Sequence, residues 1–335
     1  MTGRSLPIGP AAVAALAGLC LAVLAPLPAG AQDNANPFAA IVRVDAEIPP
    51  DARTARGLGT SRVGSGIVID DSGLVLTIGY VILEAMSVTL QDGEGRRVPA
   101  DVVAYDYDTG FGLLRAAAAL GVEPMAMGAS GNLEAGDPVV VADFAGVERA
   151  IPAVVVSRRE FAGYWEYLLD RAIFTSPPHA NWGGAALLGP RGHLLGVGSL
   201  FVRNARAKDE LLPGNLFVPI DLLKPIFAEL LTEGRASGPV KPWLGMFSAE
   251  HAGNVVVTWV APYGPASKAG VESGDRILRV QDKAVTGVPD FYRKLWGLGE
   301  AGIEVQLQLS RRGEAVEVTV TSGDRYDYLQ MRRSY

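Results

Sequence analysis

The feature that most constrains the fold is a succession of short apolar segments between Gly64 and Pro219, separated by Gly, Asp or Pro. Short runs rich in β-branched and aromatic residues and bounded by turn formers are typical of strands. The first pair, 66–70 and 74–77, flanks the tight turn Asp71-Ser72-Gly73. Many short strands at close spacing predict an all-β barrel or sandwich. The other predicted strands are 40–44, 87–90, 98–104, 112–115, 138–142, 150–156, 172–175, 185–188, 194–199 and 215–219.

A second, smaller unit follows the strand-rich region. Helical periodicity first occurs at 221–231, where the apolar residues fall on one face and Asp221 is a candidate N-cap. Residues 234–242 contain Gly, Ser and Pro without an apolar stripe, which predicts a linker. Beyond it the sequence predicts strands at 254–260, 276–280, 303–310 and 315–321, and helices at 265–270 and 289–297.

The N-terminal segment predicts export. Arg4 precedes the apolar run 11–25, and a Pro-containing stretch leads to the small-x-small cleavage site Ala29-Gly30-Ala31. We therefore expect residues 1–31 to be a signal peptide and the product to be periplasmic, with an uncleaved anchor as the alternative. Cys20 is the only cysteine, so the exported chain would have no disulfide and no cysteine-ligated metal. The net charge is −6 and no run of Lys or Arg occurs, so we expect no nucleic-acid partner. We also expect no metal and no cofactor.

Two motifs identify a family resemblance. Gly64–Gly73 is similar to the first hairpin, and Gly214–Ile220 to the last barrel strand, of the HtrA (Do-type) serine proteases. The resemblance runs through most of residues 62–322 and implies a mainly β fold, a chymotrypsin-like double β-barrel followed by an α+β PDZ domain. The divisions it implies are the signal peptide 1–31, an N-terminal segment 32–61, the double barrel with its C-terminal helix 62–233, the linker 234–242, the PDZ domain 243–322 and a tail 323–335.

The resemblance also places the three catalytic positions. The segment Ala180-Asn181-Trp182-Gly183-Gly184-Ala185 stands where the family reads Gly-Asn-Ser-Gly-Gly-Pro, so Trp182 occupies the position of the nucleophile. The general-base His belongs to a Leu-Thr-x-x-His-Val context, in which this chain has Tyr80, and the orienting Asp falls on Gly110. Tryptophan offers only an N–H donor and cannot form an acyl-enzyme. The resemblance therefore implies a degenerate triad at Tyr80, Gly110 and Trp182, with no catalytic residue.

Few other residues could rebuild this chemistry. A slip in the alignment would nominate Asp108 for the orienting position, and His179 is the histidine closest in sequence to Trp182, with Ser176 and Tyr80 as conceivable partners. We expect His179 to be an exposed loop residue. We expect the rings of Tyr80 and Trp182 to occlude the cleft, and residues 181–184 to keep inward-pointing N–H groups of the oxyanion-hole kind.

The segment Trp243-Leu244-Gly245-Met246 resembles the carboxylate-binding loop of HtrA PDZ domains. The resemblance implies that its backbone N–H groups bind a peptide C-terminus, and that the peptide adds as a strand beside Met246 and Phe247. Phe291 and Leu295 lie at i and i+4 on one face of the helix predicted at 289–297. They either line the pocket for the last peptide side chain or belong to the core.

These observations predict a catalytically inactive HtrA-like protein that binds peptides or unfolded C-termini through its PDZ domain. It would act as a scaffold, a chaperone-like factor or a protease regulator in envelope protein quality control. Two alternatives stay open: an active HtrA-type serine endopeptidase with a misaligned or non-standard site, and a non-catalytic subunit that co-assembles with an active homologue. The resemblance further allows a homotrimer formed through the barrels.

Overall fold

The computed structural model describes residues 36–329, so the predicted signal segment lies outside the described residues. Six antiparallel strands close the first barrel in the order β1-β2-β3-β6-β5-β4. Its core is formed by apolar side chains of alternate strand positions, such as Val42 and Val44 on β1. The strands are β1 (Ile41–Glu47), β2 (Ser61–Val68), β3 (Leu74–Ile78), β4 (Ser87–Gln91), β5 (Arg97–Tyr105) and β6 (Phe111–Ala116), with the short helices α1 (Ala55–Leu58) and α2 (Gly79–Ile82) between them.

A second barrel repeats this arrangement, closing in the order β10-β11-β12-β9-β8-β7. All five residues of β3 are buried, because β11 of the second barrel packs against that strand. The cleft between the barrels therefore begins where β3 ends and α2 begins. The strands are β7 (Pro138–Ala142), β8 (Ile151–Gly163), β9 (Tyr167–Ser176), β10 (Ala186–Leu188), β11 (Leu194–Val202) and β12 (Gly214–Pro219).

The third unit is a sheet with the strand order β13-β14-β15-β17-β18, while β16 pairs with β15. Buried and exposed residues alternate along β17, as expected for a sheet with one buried face. The strands are β13 (Met246–His251), β14 (Asn254–Val260), β15 (Arg276–Val280), β16 (Lys283–Ala284), β17 (Glu304–Arg311) and β18 (Glu314–Thr321). The helices of this part of the chain are α3 (Phe227–Glu233), α4 (Pro265–Lys268), α5 (Val288–Trp296) and α6 (Arg325–Tyr328), with α3 preceding the sheet and α6 following it.

The prediction of a mainly β chain with barrels is confirmed, but the helix predicted at 221–231 is wrong in its first half. Residues Ile220–Leu222 form a 3-10 turn, and α3 begins only at Phe227. Pro225 explains the difference, because it lacks an N–H and disfavours helical geometry at the residue before it. Asp221 is therefore not an N-cap of this helix; its Oδ2 accepts from the backbone N–H of Gly131 at 2.6 Å.

Two connections hold the third unit against the barrels. The turn between β8 and β9, residues 164–166, inserts beside β13 and α5. At the other end of the unit, α6 returns to the first barrel, where the Tyr326 hydroxyl donates to the carbonyl oxygen of Tyr105 at 2.8 Å and the Tyr326 ring stacks on Tyr107. Within residues 36–329 no helix is long and apolar enough to cross a membrane.

Candidate functional site

The structure brings Tyr80, Gly110 and Trp182 together in one cavity. Tyr80 is carried by α2, directly after β3, and Trp182 by the loop between β9 and β10. The Tyr80 hydroxyl donates to the carbonyl oxygen of Ser199 on β11 at 2.9 Å. Burial raises the pKa of Tyr80, and a hydrogen bond from the Trp182 side chain offsets part of this increase. Tyr80 is thus a neutral phenol already engaged with the backbone, so it does not supply a general base.

Buried polar contacts fix the position of Tyr80. The Arg62 guanidinium donates to the carbonyl oxygens of Tyr80 and Leu83 at 2.8 and 2.9 Å, and to the Thr54 hydroxyl at 2.8 Å. The Thr54 hydroxyl in turn donates to the Glu84 carboxylate at 2.6 Å. Burial lowers the pKa of Arg62 to about 10, so the guanidinium stays charged at neutral pH. This network ties the segment 53–58 to α2 and makes it a second wall of the cleft.

Gly110, the position predicted for an orienting aspartate, has a backbone conformation that disfavours a side chain. Gly110 has a φ of +83°, and a Cβ there would lie 3.3 Å from the Tyr167 hydroxyl, which donates to the Thr109 carbonyl oxygen at 2.6 Å. Left-handed backbone of this kind favours glycine. Asp108, the alternative, points elsewhere and forms an ion pair with Lys241 at 3.0 Å. No carboxylate therefore takes the orienting role at this point of the described structure.

The prediction that His179 is an exposed loop residue is wrong. This histidine is buried: its Nε2 lies 3.0 Å from the Arg149 carbonyl oxygen and its Nδ1 accepts from the Asn181 N–H at 3.1 Å. Both ring nitrogens are thus used by the backbone, which makes His179 a structural residue of the loop. Ser176 is not its partner, because the Ser176 hydroxyl donates to the Pro213 carbonyl oxygen at 2.9 Å.

In the loop around Trp182, two of the four amides expected to point inward donate to groups of the fold. The Asn181 N–H is directed to His179, and the Gly184 N–H donates to the Gly198 carbonyl oxygen at 2.8 Å. Gly184 has a φ of +77°, and a Cβ there would lie 1.9 Å from the Ser65 carbonyl oxygen. Two amides expected to point inward are therefore committed within the fold.

Tyr80 and Trp182, the two rings expected to occlude the cleft, form part of the wall of a cavity of about 640 Å³, here called the cleft cavity. Its walls come from both barrels, from the segment 53–58, from the third unit and from α6. Among residues 36–329 no cluster of side chains is suited to hold a metal ion.

The predicted carboxylate-binding loop does bind a carboxylate, and it is one from the same chain. The Glu166 carboxylate accepts from the backbone N–H groups of Leu244 at 3.0 Å, Gly245 at 2.7 Å and Met246 at 3.1 Å. Glu166 lies at the tip of the β8–β9 hairpin with a φ of +56°, an uncommon conformation for a residue with a side chain. The Trp243 N–H is not part of this set, since it donates to the Gly323 carbonyl oxygen at 3.1 Å.

The rest of the hairpin tip follows the path expected for a bound peptide. The Ser248 N–H on β13 donates to the Tyr164 carbonyl oxygen at 2.8 Å, and the Tyr164 ring lies 5.4 Å from that of Phe247. On the other side, the Tyr292 hydroxyl of α5 donates to the Gly163 carbonyl oxygen at 2.8 Å and accepts from the Glu166 N–H at 3.1 Å. Residues 163–166 therefore occupy the space between β13 and α5.

Sequence reasoning did not find Tyr292, the residue of α5 that contacts the hairpin tip. Phe291 and Leu295, which were proposed for the peptide pocket, are completely buried in the core of the third unit beside Met246. Of the two interpretations left open for them, the core is the one that the burial supports. Glu166 was also missed, because a glutamate in a three-residue hairpin turn carries no sequence signal for a contact about 80 residues away.

Burial raises the pKa of Glu166 to about 7, although the three N–H groups and the charge of Arg325 oppose this increase. The other polar group facing it, the Tyr292 hydroxyl, is neutral because burial raises its pKa as well. A carboxyl group whose folded pKa lies above its unfolded value stabilises the fold fully below the unfolded pKa. That contribution is lost as the pH rises through the folded value.

We therefore expect the free energy of unfolding of the native protein to fall, relative to Glu166→Gln, as the pH rises from about 4.5 to about 8. A shift of the Glu166 pKa from 4.5 to about 7 corresponds to a decrease of about 3 kcal/mol in the free energy of unfolding. Urea unfolding at several pH values measures the difference, and Glu148→Gln on the exposed surface of the second barrel is the matched control. Parallel pH profiles for the native protein and Glu166→Gln would contradict the raised pKa.

Comparison with known proteins finds two family models that match this chain. The model of the trypsin-like peptidase domain matches residues 64–197, and that of the PDZ domain matches residues 242–321. A probable periplasmic serine endoprotease DegP-like from Halomonas elongata is 24% identical over 279 residues, which are 78% of this chain and 56% of that protein. The periplasmic pH-dependent serine endoprotease DegQ of Escherichia coli is 26% identical over 281 residues, which are 77% of this chain and 59% of the relative.

The solved structures agree on the fold. A variant of the HtrA-type protease AlgW with a tripeptide superimposes with a TM-score of 0.52 at 20% identity, over 87% of this chain and 95% of that one. This similarity confirms the predicted chymotrypsin-like fold followed by a PDZ domain. The chain spans somewhat more than half the length of the curated relatives that it matches.

Proposed function

Because this chain belongs to the HtrA-type proteins, with a trypsin-like peptidase domain and one PDZ domain, we propose that it is a member that binds polypeptides without cleaving them. It binds peptide C-termini or unfolded segments through its PDZ domain, in the periplasm. There it acts as a scaffold, a chaperone-like factor or a regulator of an active protease in protein quality control. The relatives named as periplasmic endoproteases support the compartment and the process.

The observation that carries the proposal is the chemistry of the cleft at the three catalytic positions. Trp182 has no nucleophilic atom, the Tyr80 hydroxyl is bonded to the Ser199 carbonyl oxygen, and Gly110 has no side chain. Nucleophilic catalysis by a hydroxyl needs a base within hydrogen-bond reach, held in place by a third group. Among the described residues, His179 makes its ring contacts with the backbone alone.

The closed PDZ groove determines how a peptide binds. A peptide carboxylate and the Glu166 carboxylate need the same N–H groups of residues 244–246, so binding requires that the hairpin tip leave the groove. The affinity for the peptide is then reduced by the free energy that holds the hairpin in place. We infer that the native protein binds C-terminal peptides weakly unless something displaces the tip.

We expect no labelling by a serine-directed fluorophosphonate and no cleavage of casein above a blank. The physical reason is the missing nucleophile at Trp182. The assay must detect the residual catalysis that real proteases keep after loss of their triad, and an active DegQ-type protease serves as the positive control. Labelling mapped to a single serine would favour the alternative of an active endopeptidase with a non-standard site.

We expect the triple variant Tyr80→His, Gly110→Asp and Trp182→Ser to regain little activity. The φ of +83° at Gly110 and the nearby Tyr167 hydroxyl oppose an aspartate in a productive geometry. A displacement of about 1 Å costs on the order of a hundredfold in rate. Casein cleavage by this variant, compared with the double variant that keeps Gly110, measures the effect. Efficient proteolysis would show that the cleft geometry has been retained.

We expect Glu166→Ala to strengthen binding of a peptide that ends in an apolar residue with a free carboxylate. Removal of the competing carboxylate leaves the three N–H groups available, so we expect a Kd on the order of micromolar and at least about tenfold tighter than in the native protein. Calorimetric titration of the full chain with free-acid and amidated forms of one peptide measures both effects.

The matched control is Glu148→Ala, an exposed glutamate of the same barrel, which should bind the peptide as weakly as the native protein does. Equal affinities in Glu166→Ala and the native protein would contradict competition. Equal affinities for the acid and the amide would contradict carboxylate capture by residues 244–246.

A further inference from the structure

The cleft cavity is a second candidate site, separate from the N–H groups that hold Glu166. Its volume of about 640 Å³ lies within the range of about 300–1,000 Å³ that is typical of small-molecule sites. We propose that it binds a small anionic amphiphile, a molecule with an apolar chain and one carboxylate-type head group. This inference does not rest on the proposed peptide binding, because it concerns a different class of ligand and a cavity that residues 244–246 do not line.

The apolar part of the proposal rests on the aromatic walls. Trp182 and Tyr80 face the cavity from the barrels, while Phe247 and Trp259 face it from the PDZ domain, with ring centroids 4.7 Å apart. Leu58 on α1 also lines it and keeps 44% of its surface exposed. An apolar chain that covered these rings would remove exposed apolar surface from water, which is favourable in proportion to the area buried.

The anionic part rests on charge. Three arginines line the cavity, Arg53, Arg56 and Arg325, and none of the described residues that line it is Asp or Glu, in a chain whose net charge is −6. The Arg53 guanidinium lies 5.0 Å from the centre of the Tyr328 ring and 5.6 Å from that of Tyr263, two cation–π contacts made from the segment 53–58. Guanidinium groups bind carboxylates through paired N–H donors.

Neither Arg53 nor Arg56 forms an ion pair with any residue among 36–329. Both belong to the segment 53–58, which Thr54 anchors through Glu84 and Arg62. Two of the three arginines that line the cavity are therefore carried by this one segment, while most of the other lining residues are apolar or aromatic. This separation of charge and apolar wall matches an amphiphile in which one end is anionic.

The fluorescence of the tryptophans that line the cavity can report directly whether a ligand binds there. Four of the five in the chain, Trp165, Trp182, Trp243 and Trp259, line the cavity, whereas Trp296 stacks on Tyr292 in the PDZ domain. Bromine quenches tryptophan emission on contact, so 12-bromododecanoate reports its own position. We expect its titration into the full chain, below its micellar concentration, to quench the emission in a saturable way. We expect 12-bromododecanol, the uncharged analogue, to bind about tenfold more weakly.

Two pairs of variants locate the probe. Replacement of Arg53 and Arg56 together by Gln should remove the preference for the acid over the alcohol, whereas Arg191→Gln with Arg203→Gln, two exposed arginines away from the cavity, should leave it. Trp182→Phe should reduce the quenched fraction, and Trp296→Phe should increase it. Non-saturating quenching, equal binding of acid and alcohol, or quenching that is lost with Trp296 would each overturn the proposal.

Discussion

The arrangement of this molecule depends on one carboxylate and three backbone amides. Glu166 is buried, and removal of its charge from water raises its pKa to about 7 although three N–H groups donate to it. The rest of the hairpin tip is also hydrogen-bonded to the PDZ domain, which helps to hold Glu166 in place. The Ser248 N–H donates to the Tyr164 carbonyl oxygen, and the Tyr292 hydroxyl donates to the Gly163 carbonyl oxygen and accepts from the Glu166 N–H. Arg293 on α5 adds ion pairs with Glu160 and Asp170 on the two strands of the hairpin.

The same contact shapes the cleft. Because the hairpin tip sits in the PDZ groove, Phe247 and Trp259 of the PDZ domain lie on the same cavity as Trp182 and Tyr80 of the barrels. The aromatic wall of the cleft and the closing of the peptide groove are therefore parts of one structure. The cavity at this cleft is walled by aromatic rings from the barrels and the PDZ domain and by α6.

Much of the fold could be predicted from local patterns. The strands Pro138–Ala142, Asn254–Val260 and Arg276–Val280 have the bounds predicted for them, because alternating burial and flanking turn residues determine a strand within a few positions. The apolar stripe at 221–231 predicts a longer helix than the one that forms, because Pro225 interrupts helical geometry before Phe227. The burial of His179 could not be predicted, since it depends on the Arg149 carbonyl oxygen, 30 positions away in sequence.

The residues of the candidate site likewise fall into those that the sequence predicts and those that it does not. Trp182, Tyr80 and Gly110 could be placed because they stand within recognisable motifs, and residues 244–246 because the N–H groups of such a loop suit any carboxylate. The motif at residues 244–246 predicts that a carboxylate binds there, but it does not predict which residue or ligand supplies that carboxylate. Glu166 is the acceptor because the β8–β9 hairpin packs against the edge of the PDZ sheet. The sequence Gly163-Tyr164-Trp165-Glu166 contains no pattern that predicts this contact.

The two proposed sites are coupled through the hairpin tip. Tyr164 and Trp165 belong to the turn that closes the PDZ groove, and both also line the cleft cavity. A peptide that displaces Glu166 from residues 244–246 must move these two rings, and a ligand that packs against them favours the closed groove. Such coupling is reciprocal in free energy. An amphiphile in the cleft cavity therefore weakens peptide binding by the same factor by which the peptide weakens the amphiphile, even though their binding groups are different.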